Sequence, residues 1–168
     1  MQITSAMKMV SAAKLKRAQD AIVQMRPYAK KFNDILVNVA ASLDNSDHPM
    51  MKSNNGKNIL LIALSSNRGL CGGFNNNIVK EVNKTISNNP DKNYTVFTIG
   101  KKVNDVFKKS DLLTKIESLP LNPQTIWDDL NYNNSILISS KIIKAFKENK
   151  FDQAYIIYNS FKNAAVQN

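Results

Sequence analysis

An α/β domain preceded by a long basic helix is the fold this sequence predicts. Three observations carry that expectation. The stretch from Gln2 to Leu43 holds no glycine and is rich in Ala, Lys, Met and Gln, all strong helix formers. Beyond it, apolar runs of strand length alternate with segments of helical period. Hydrophobic residues make up 43% of the 168, enough to bury a core and to argue against wholesale disorder.

In the first segment, apolar residues recur at alternating three- and four-residue steps: Leu15, Ala18, Ile22, Met25, Ala29, Phe32, Leu36, Val39 and Leu43. That is the seam of a coiled-coil-type helix. Ile3, Met7 and Val10 continue the steps on a slightly rotated line. Pro27 interrupts the pattern, and a mid-helix proline normally kinks or breaks a helix. The seam stays in phase on both sides, which favours a bend in one helix; two helices joined at Arg26-Pro27 is the alternative. The first segment is expected over 1–44, a polar connector over 45–57 and an α/β domain over 58–168.

Asn58–Ser65, with Ile59-Leu60-Leu61-Ile62-Ala63-Leu64, has the character of a buried strand. Phe74–Ser87 follows as a helix, with Ile78, Val82 and Ile86 at four-residue steps. Tyr94–Ile99 is expected as a strand, Lys101–Lys108 as a short helix and 113–116 as a weaker strand. A helix is predicted from about Gln124 to Asn149, and Gln153–Tyr158 as the last strand. Strands alternating with helices imply a mainly parallel, Rossmann-like sheet with flanking helices. Phe107, Trp127 and Phe146 fall at core-like positions, and Cys71 is expected as a small buried residue.

The net charge is +10, a balance that favours an acidic partner. Between Met1 and Lys31 stand seven basic residues and one acid, so this end alone carries +6. One cysteine excludes an internal disulfide, and the single histidine, His48, excludes a His-based metal site. The chain is therefore expected in a reducing, intracellular compartment. Its longest apolar run, Ile59–Leu64, falls far short of the roughly 18 residues of a membrane span, and its start lacks the apolar core of a secretory signal. Any membrane association is expected to go through a partner.

The richest local feature is Ser65-Ser66-Asn67-Arg68-Gly69-Leu70-Cys71-Gly72-Gly73-Phe74-Asn75, which leaves the first strand and opens the next helix. Such turns often bind phosphate. The details argue otherwise: no Lys-Ser/Thr follows the last glycine, and Gly69, Gly72 and Gly73 do not give G-x-G-x-x-G. The glycines are expected to permit a tight turn and close packing, with no cofactor. Neither a catalytic base, a nucleophile nor a metal cluster suggests itself.

Ser66-Asn67-Arg68-Gly69-Leu70-Cys71-Gly72-Gly73-Phe74-Asn75 resembles the S-D-R-G-L-C-G-G-x-N signature of ATP synthase gamma subunits, with Asn67 in place of the usual Asp. The run from Ile3 to Leu15 is similar to the family's I-T-x-A-M-x-M-V-A-A-x-K, and Arg26-Pro27-Tyr28 matches its R-P-Y. Tyr155-Ile156-Ile157-Tyr158-Asn159-Ser160-Phe161 resembles its V-x-x-x-N-x-F strand end. This resemblance implies a non-catalytic rotor, the central stalk that couples ion flow to ATP synthesis in a ring of alpha and beta subunits. It further implies contacts with the epsilon subunit and c-ring, no nucleic acid, no membrane span of its own, and a peripheral place on the cytoplasmic face of the bacterial inner membrane. It also implies a fragment, lacking the family's first residues and its second long helix.

Under that resemblance the contact residues are Met7, Lys8, Met9, Lys14, Lys16 and Arg17 on the helix, and Arg68, Gly69, Gly72 and Gly73 in the loop. Small and flexible side chains can slide past varied surfaces, and lysines offer weak, screened contacts to acids. Blander readings stand beside it: an amphipathic helix folded on its own domain with lysines as its solvated face, Met7 and Lys8 as filler, and Arg68 bracing the loop. A basic nucleic-acid-binding α/β protein is the alternative function, and it would show steep salt dependence.

Overall fold

The computed structural model describes residues 2–42, 56–113 and 123–162. It divides into two units, Met1–Lys52 and Ser53–Asn168. The first contains one continuous helix, α1 (Gln2–Ser42), which passes through Pro27 without interruption. Its 41 residues make a rod of about 60 Å. The seam residues Leu15, Met25, Phe32, Leu36 and Val39 are all exposed, with Ile22 half-buried. Tyr28 and Phe32 stack with ring centroids 6.2 Å apart. Leu43, the last predicted seam position, and most of the connector over 45–57 lie outside the described residues.

In the second unit the described order is β1 (Asn58–Leu64), α2 (Phe74–Asn88), β2 (Asn93–Ile99), α3 (Lys101–Phe107), a 3-10 turn (Ile126–Asp128), α4 (Tyr132–Lys147) and β3 (Gln153–Ile157). The three strands are parallel in the order β2-β1-β3, with Leu61 opposite Val96 on one side and Tyr155 on the other. The central strand β1 is buried on both faces, which explains its unbroken apolar run. Ile59, Leu61 and Ala63 face Ile78 and Val82 of α2 and Val103 and Phe107 of α3. Leu60 and Ile62 face Ile126, Ile138 of α4 and Phe151. Helices therefore cover both faces, in three layers. Each fully buried Leu, Ile or Val here contributes roughly 1.5–3 kcal/mol.

Two expectations need correction. The predicted Gln124–Asn149 helix begins only at Tyr132, after turns and the 3-10 segment. Asn131 takes an extended backbone and caps α4, its side-chain oxygen accepting from the Asn134 N–H at 2.9 Å. Asn134 in turn donates to Asp129, fixing a loop where the apolar spacing suggested a helix. Trp127 is not a core residue: it is 37% exposed, while Phe107 is buried and Phe146 half-buried against Phe151. Of the weak strand expected over 113–116, Leu113 forms a parallel bridge to Val96, and the rest lies outside the described residues.

Candidate partner-binding surfaces

Met7, Lys8, Met9, Lys14, Lys16 and Arg17 are all exposed on α1. At 100° per residue they are spread around the helix. Met7 and Lys14 share one side and Met9 and Lys16 another, while Lys8 and Arg17 stand opposite each other. The result is a belt of cations and thioethers, able to meet partners from several directions.

Arg68, Gly69, Gly72 and Gly73 come together in the second unit, on the loop from β1 to α2. Asn75, in the first turn of α2, organises that loop. Its side-chain oxygen accepts from the Ser66 N–H at 3.0 Å. Its amide donates to the Arg68 carbonyl at 3.1 Å and to the Cys71 sulfur at 3.1 Å. The Ser66 hydroxyl donates to the same Arg68 carbonyl at 2.6 Å. Cys71 is thus half-buried and hydrogen-bonded, not the simple apolar filler expected of it. Gly72 has φ of 59°, a left-handed turn residue with nothing near its missing side chain. Leu70, two residues earlier, has φ of 57° without being glycine.

The start of the loop serves a different end. Helix α3 has no side-chain cap of its own at Gly100. The Lys101 N–H instead donates to Asn67 Oδ1 at 2.9 Å, Lys102 N–H to the Ser66 carbonyl at 3.2 Å, and Val103 N–H to Ser65 Oγ at 3.0 Å. Three successive residues thus cap a helix that lies across the sheet. This accounts for Asn67 where the resembling signature has Asp: an uncharged oxygen suffices as the cap. Asn67→Ala is expected to lower stability by about 1 kcal/mol. Asn67→Asp keeps the acceptor and adds negative charge at a helix N-terminus beside Lys101 and Lys102, raising stability by about 0.5 kcal/mol. Urea midpoints of the two variants should move in opposite directions.

Further along α3, Lys108 Nζ donates to Asp105 at 3.1 Å and holds that carboxyl below its usual value of 3.8. Any stability from this exposed pair is present above the ordinary carboxylate range and fades as pH falls through the lowered pKa. A cavity of about 570 Å³ opens beside the loop, with Arg68, Phe74, Trp127, Asp128 and Tyr158 among its lining. Asn159 ties β3's end to the loop by donating to the Phe74 carbonyl at 2.7 Å. Among the described residues, no helix is long and apolar enough to cross a membrane.

The sequence singles out the loop's glycines, its arginine and Asn67 as a departure from the signature, but neither the capping role of Asn67 nor Asn75 and Leu70. An Asn directly after the helix-opening Phe74 was the available hint for Asn75, since Asn competes well for backbone partners at helix starts.

A family model described as ATP synthase matches residues 1–168. The chain is 44% identical over 169 residues to the ATP synthase gamma chain of Christiangramia forsetii, covering 99% of this chain and 57% of that protein. It is 46% identical over 168 residues to that of Flavobacterium psychrophilum, with the same coverage. The chain therefore spans a little over half the length of these relatives. Among solved structures, a central stalk/c-ring structure of the Tetrahymena thermophila mitochondrial ATP synthase matches 98% of this chain and 68% of its own, at 26% identity and a TM-score of 0.64. A rotor structure from the Euglena gracilis mitochondrial ATP synthase shares the fold, at 21% identity and a TM-score of 0.55, covering 99% of this chain and 54% of its own.

Proposed function

Because the chain belongs to the ATP synthase gamma-chain family, we propose that it forms part of the central stalk of a rotary ATP synthase. It carries rotation between an ion-translocating c-ring and the alpha–beta ring, and performs no chemistry itself. The observation that supports this best is α1, a rod of about 60 Å with exposed apolar residues along its length. Such a surface calls for a cover, and an encircling ring with a second helix would supply one.

The cation belt of Lys8, Lys14, Lys16 and Arg17 suits this role. Exposed pairs are worth about 0.2–1 kcal/mol each, so none is strong enough to trap a rotor at one angle. The α/β unit is the part that meets the epsilon subunit and the c-ring. Partner contacts, not a membrane span, hold the chain at the cytoplasmic face of the membrane.

Association with purified alpha and beta subunits, followed by fluorescence anisotropy, tests the reading. Wild-type chain is expected to bind them. A variant with Lys8, Lys14, Lys16 and Arg17 all changed to Glu is expected to bind at least tenfold more weakly at low salt, with the gap narrowing as salt rises. Equal binding of both forms at every salt concentration counts against the reading, as does stronger retention on DNA than on the subunits.

A further inference from the structure

The cavity of about 570 Å³ beside the β1–α2 loop opens at the carboxyl ends of the strands. The sheet order β2-β1-β3 takes the chain to one side after β1 and later returns it to the other. A crevice is left between the ends of β1 and β3, the place where parallel α/β sheets commonly receive ligands. Ser65 and Ser66, just past β1, and Tyr158 and Asn159, just past β3, all line it. Its volume falls within the roughly 300–1,000 Å³ of small-molecule sites.

The walls are aromatic and fixed in place. Phe74, Trp127 and Tyr158 line the cavity, and Trp127 and Tyr158 are exposed, so neither ring is spent on the core. The 3-10 turn carrying Trp127 and Asp128 is anchored by buried Ile126 and by the Asp128 N–H, which donates to the Thr125 carbonyl at 3.0 Å. Asn159 holds the opposite wall through the Phe74 carbonyl. The polar groups then select the ligand. The N–H groups of Ser65, Ser66 and Phe74 already donate to the Ile99 carbonyl, Asn75 Oδ1 and the Cys71 carbonyl, so these three offer no backbone cradle to a polyphosphate. Arg68 and Asp128 also line the cavity, and neither side chain is paired among the described residues. A free guanidinium takes a carboxylate through two parallel hydrogen bonds, and a free carboxylate takes an ammonium.

We propose that this cavity binds a free aromatic α-amino acid, with its ring among Phe74, Trp127 and Tyr158, its carboxylate on Arg68 and its ammonium on Asp128. The inference goes beyond the stalk reading and does not depend on it. A flat ring gains from aromatic neighbours more than the area it buries, which favours it over an aliphatic side chain of equal size. The two opposite charges fix the orientation. They also select against a ligand that has only one of the two groups, because the other side chain is then left without its partner.

The test titrates the whole chain with L-phenylalanine, which is silent under excitation selective for tryptophan, and reads the emission of Trp127, the chain's single tryptophan. A saturable change with a midpoint of about 1 mM is expected for a ligand of this size. Arg68→Gln and Asp128→Asn change exposed, unpaired side chains, so both are expected to melt as wild type does. Each is expected to raise the midpoint at least tenfold. Phenethylamine, which has no carboxylate, is expected to bind at least tenfold more weakly than L-phenylalanine, and to bind wild type and Arg68→Gln equally. Hydrocinnamate, which has no ammonium, is expected to be indifferent to Asp128→Asn. Cyclohexylalanine, which keeps both charges but has no aromatic face, is expected to bind several-fold more weakly. Absence of a saturable change overturns the proposal, as does a midpoint that either substitution fails to move.

Discussion

Gly100→Ala is expected to cost about 4 kcal/mol, a large share of the 5–15 kcal/mol that holds a domain together. Gly100 follows β2 with φ of 100° and ψ of 146°, a region that residues with a Cβ avoid. That alone costs roughly 1–3 kcal/mol. The added carbon would also collide with the Ser65 carbonyl, a backbone group. Ser65 cannot easily retreat. Its N–H donates to the Ile99 carbonyl at 2.8 Å and its hydroxyl oxygen receives the Val103 N–H at 3.0 Å. Movement there would break the β1–β2 junction or uncap α3. Gly72→Ala is the comparison: φ is 59°, but nothing lies within 4 Å of the new carbon, so only the backbone cost of about 1 kcal/mol applies. Urea unfolding followed by the fluorescence of Trp127, the chain's single tryptophan, reports on this unit. Equal losses in the two variants would show that the steric argument is wrong.

The same geometry explains what could be read in the sequence. β1, α2, β2 and α3 fall within a residue or two of their expected bounds because each has one dominant periodic signal. β1 is a solid apolar run, and α2 sets Ile78 and Val82 at a four-residue step into the core. α1 was legible for another reason: without glycine, even Pro27 leaves a continuous helix. The α4 start was not legible. Ile126, Trp127 and Leu130 mimic a helical face, while the signal that ends it is an Asn131 cap in a chain where Asn is everywhere. Propensity lost there to local side-chain hydrogen bonding.

For the candidate surfaces, position was legible and mechanism was not. A glycine-rich turn between β1 and α2 is visible in the sequence, and so is its mismatch with phosphate-binding patterns. That Asn67 caps a helix 34 residues later is a tertiary fact with no local trace. Leu70 is hidden more deeply still. Nothing in R-G-L-C-G-G says that the left-handed position falls on the leucine and not on the glycine before it. Local preference gives way at this residue to the hydrogen bonds that fix the Arg68 carbonyl and the Cys71 sulfur on either side of it.

Asn75 is where loop stability and loop presentation meet, and Asn75→Ala is expected to cost about 2 kcal/mol. The substitution strips the part-buried Ser66 N–H of its acceptor, and an unsatisfied donor costs about 1–3 kcal/mol. It also removes the amide from the part-buried Cys71 sulfur and from the Arg68 carbonyl, an exposed contact where water can replace it in part. Asn75→Asp separates the two halves. It keeps an oxygen for Ser66 and places a negative charge in the first turn of α2, which is favourable, but it offers no donor. Its loss in stability is expected to be about half that of alanine. Both variants lack the donor that pins the chain on either side of Leu70. Amide exchange at residues 68–73 should therefore rise in both, by a similar factor, even though their unfolding midpoints differ. If exchange instead tracks global stability, rising in alanine and barely in aspartate, then Ser66 and not the Asn75 amide sets the stiffness of the loop.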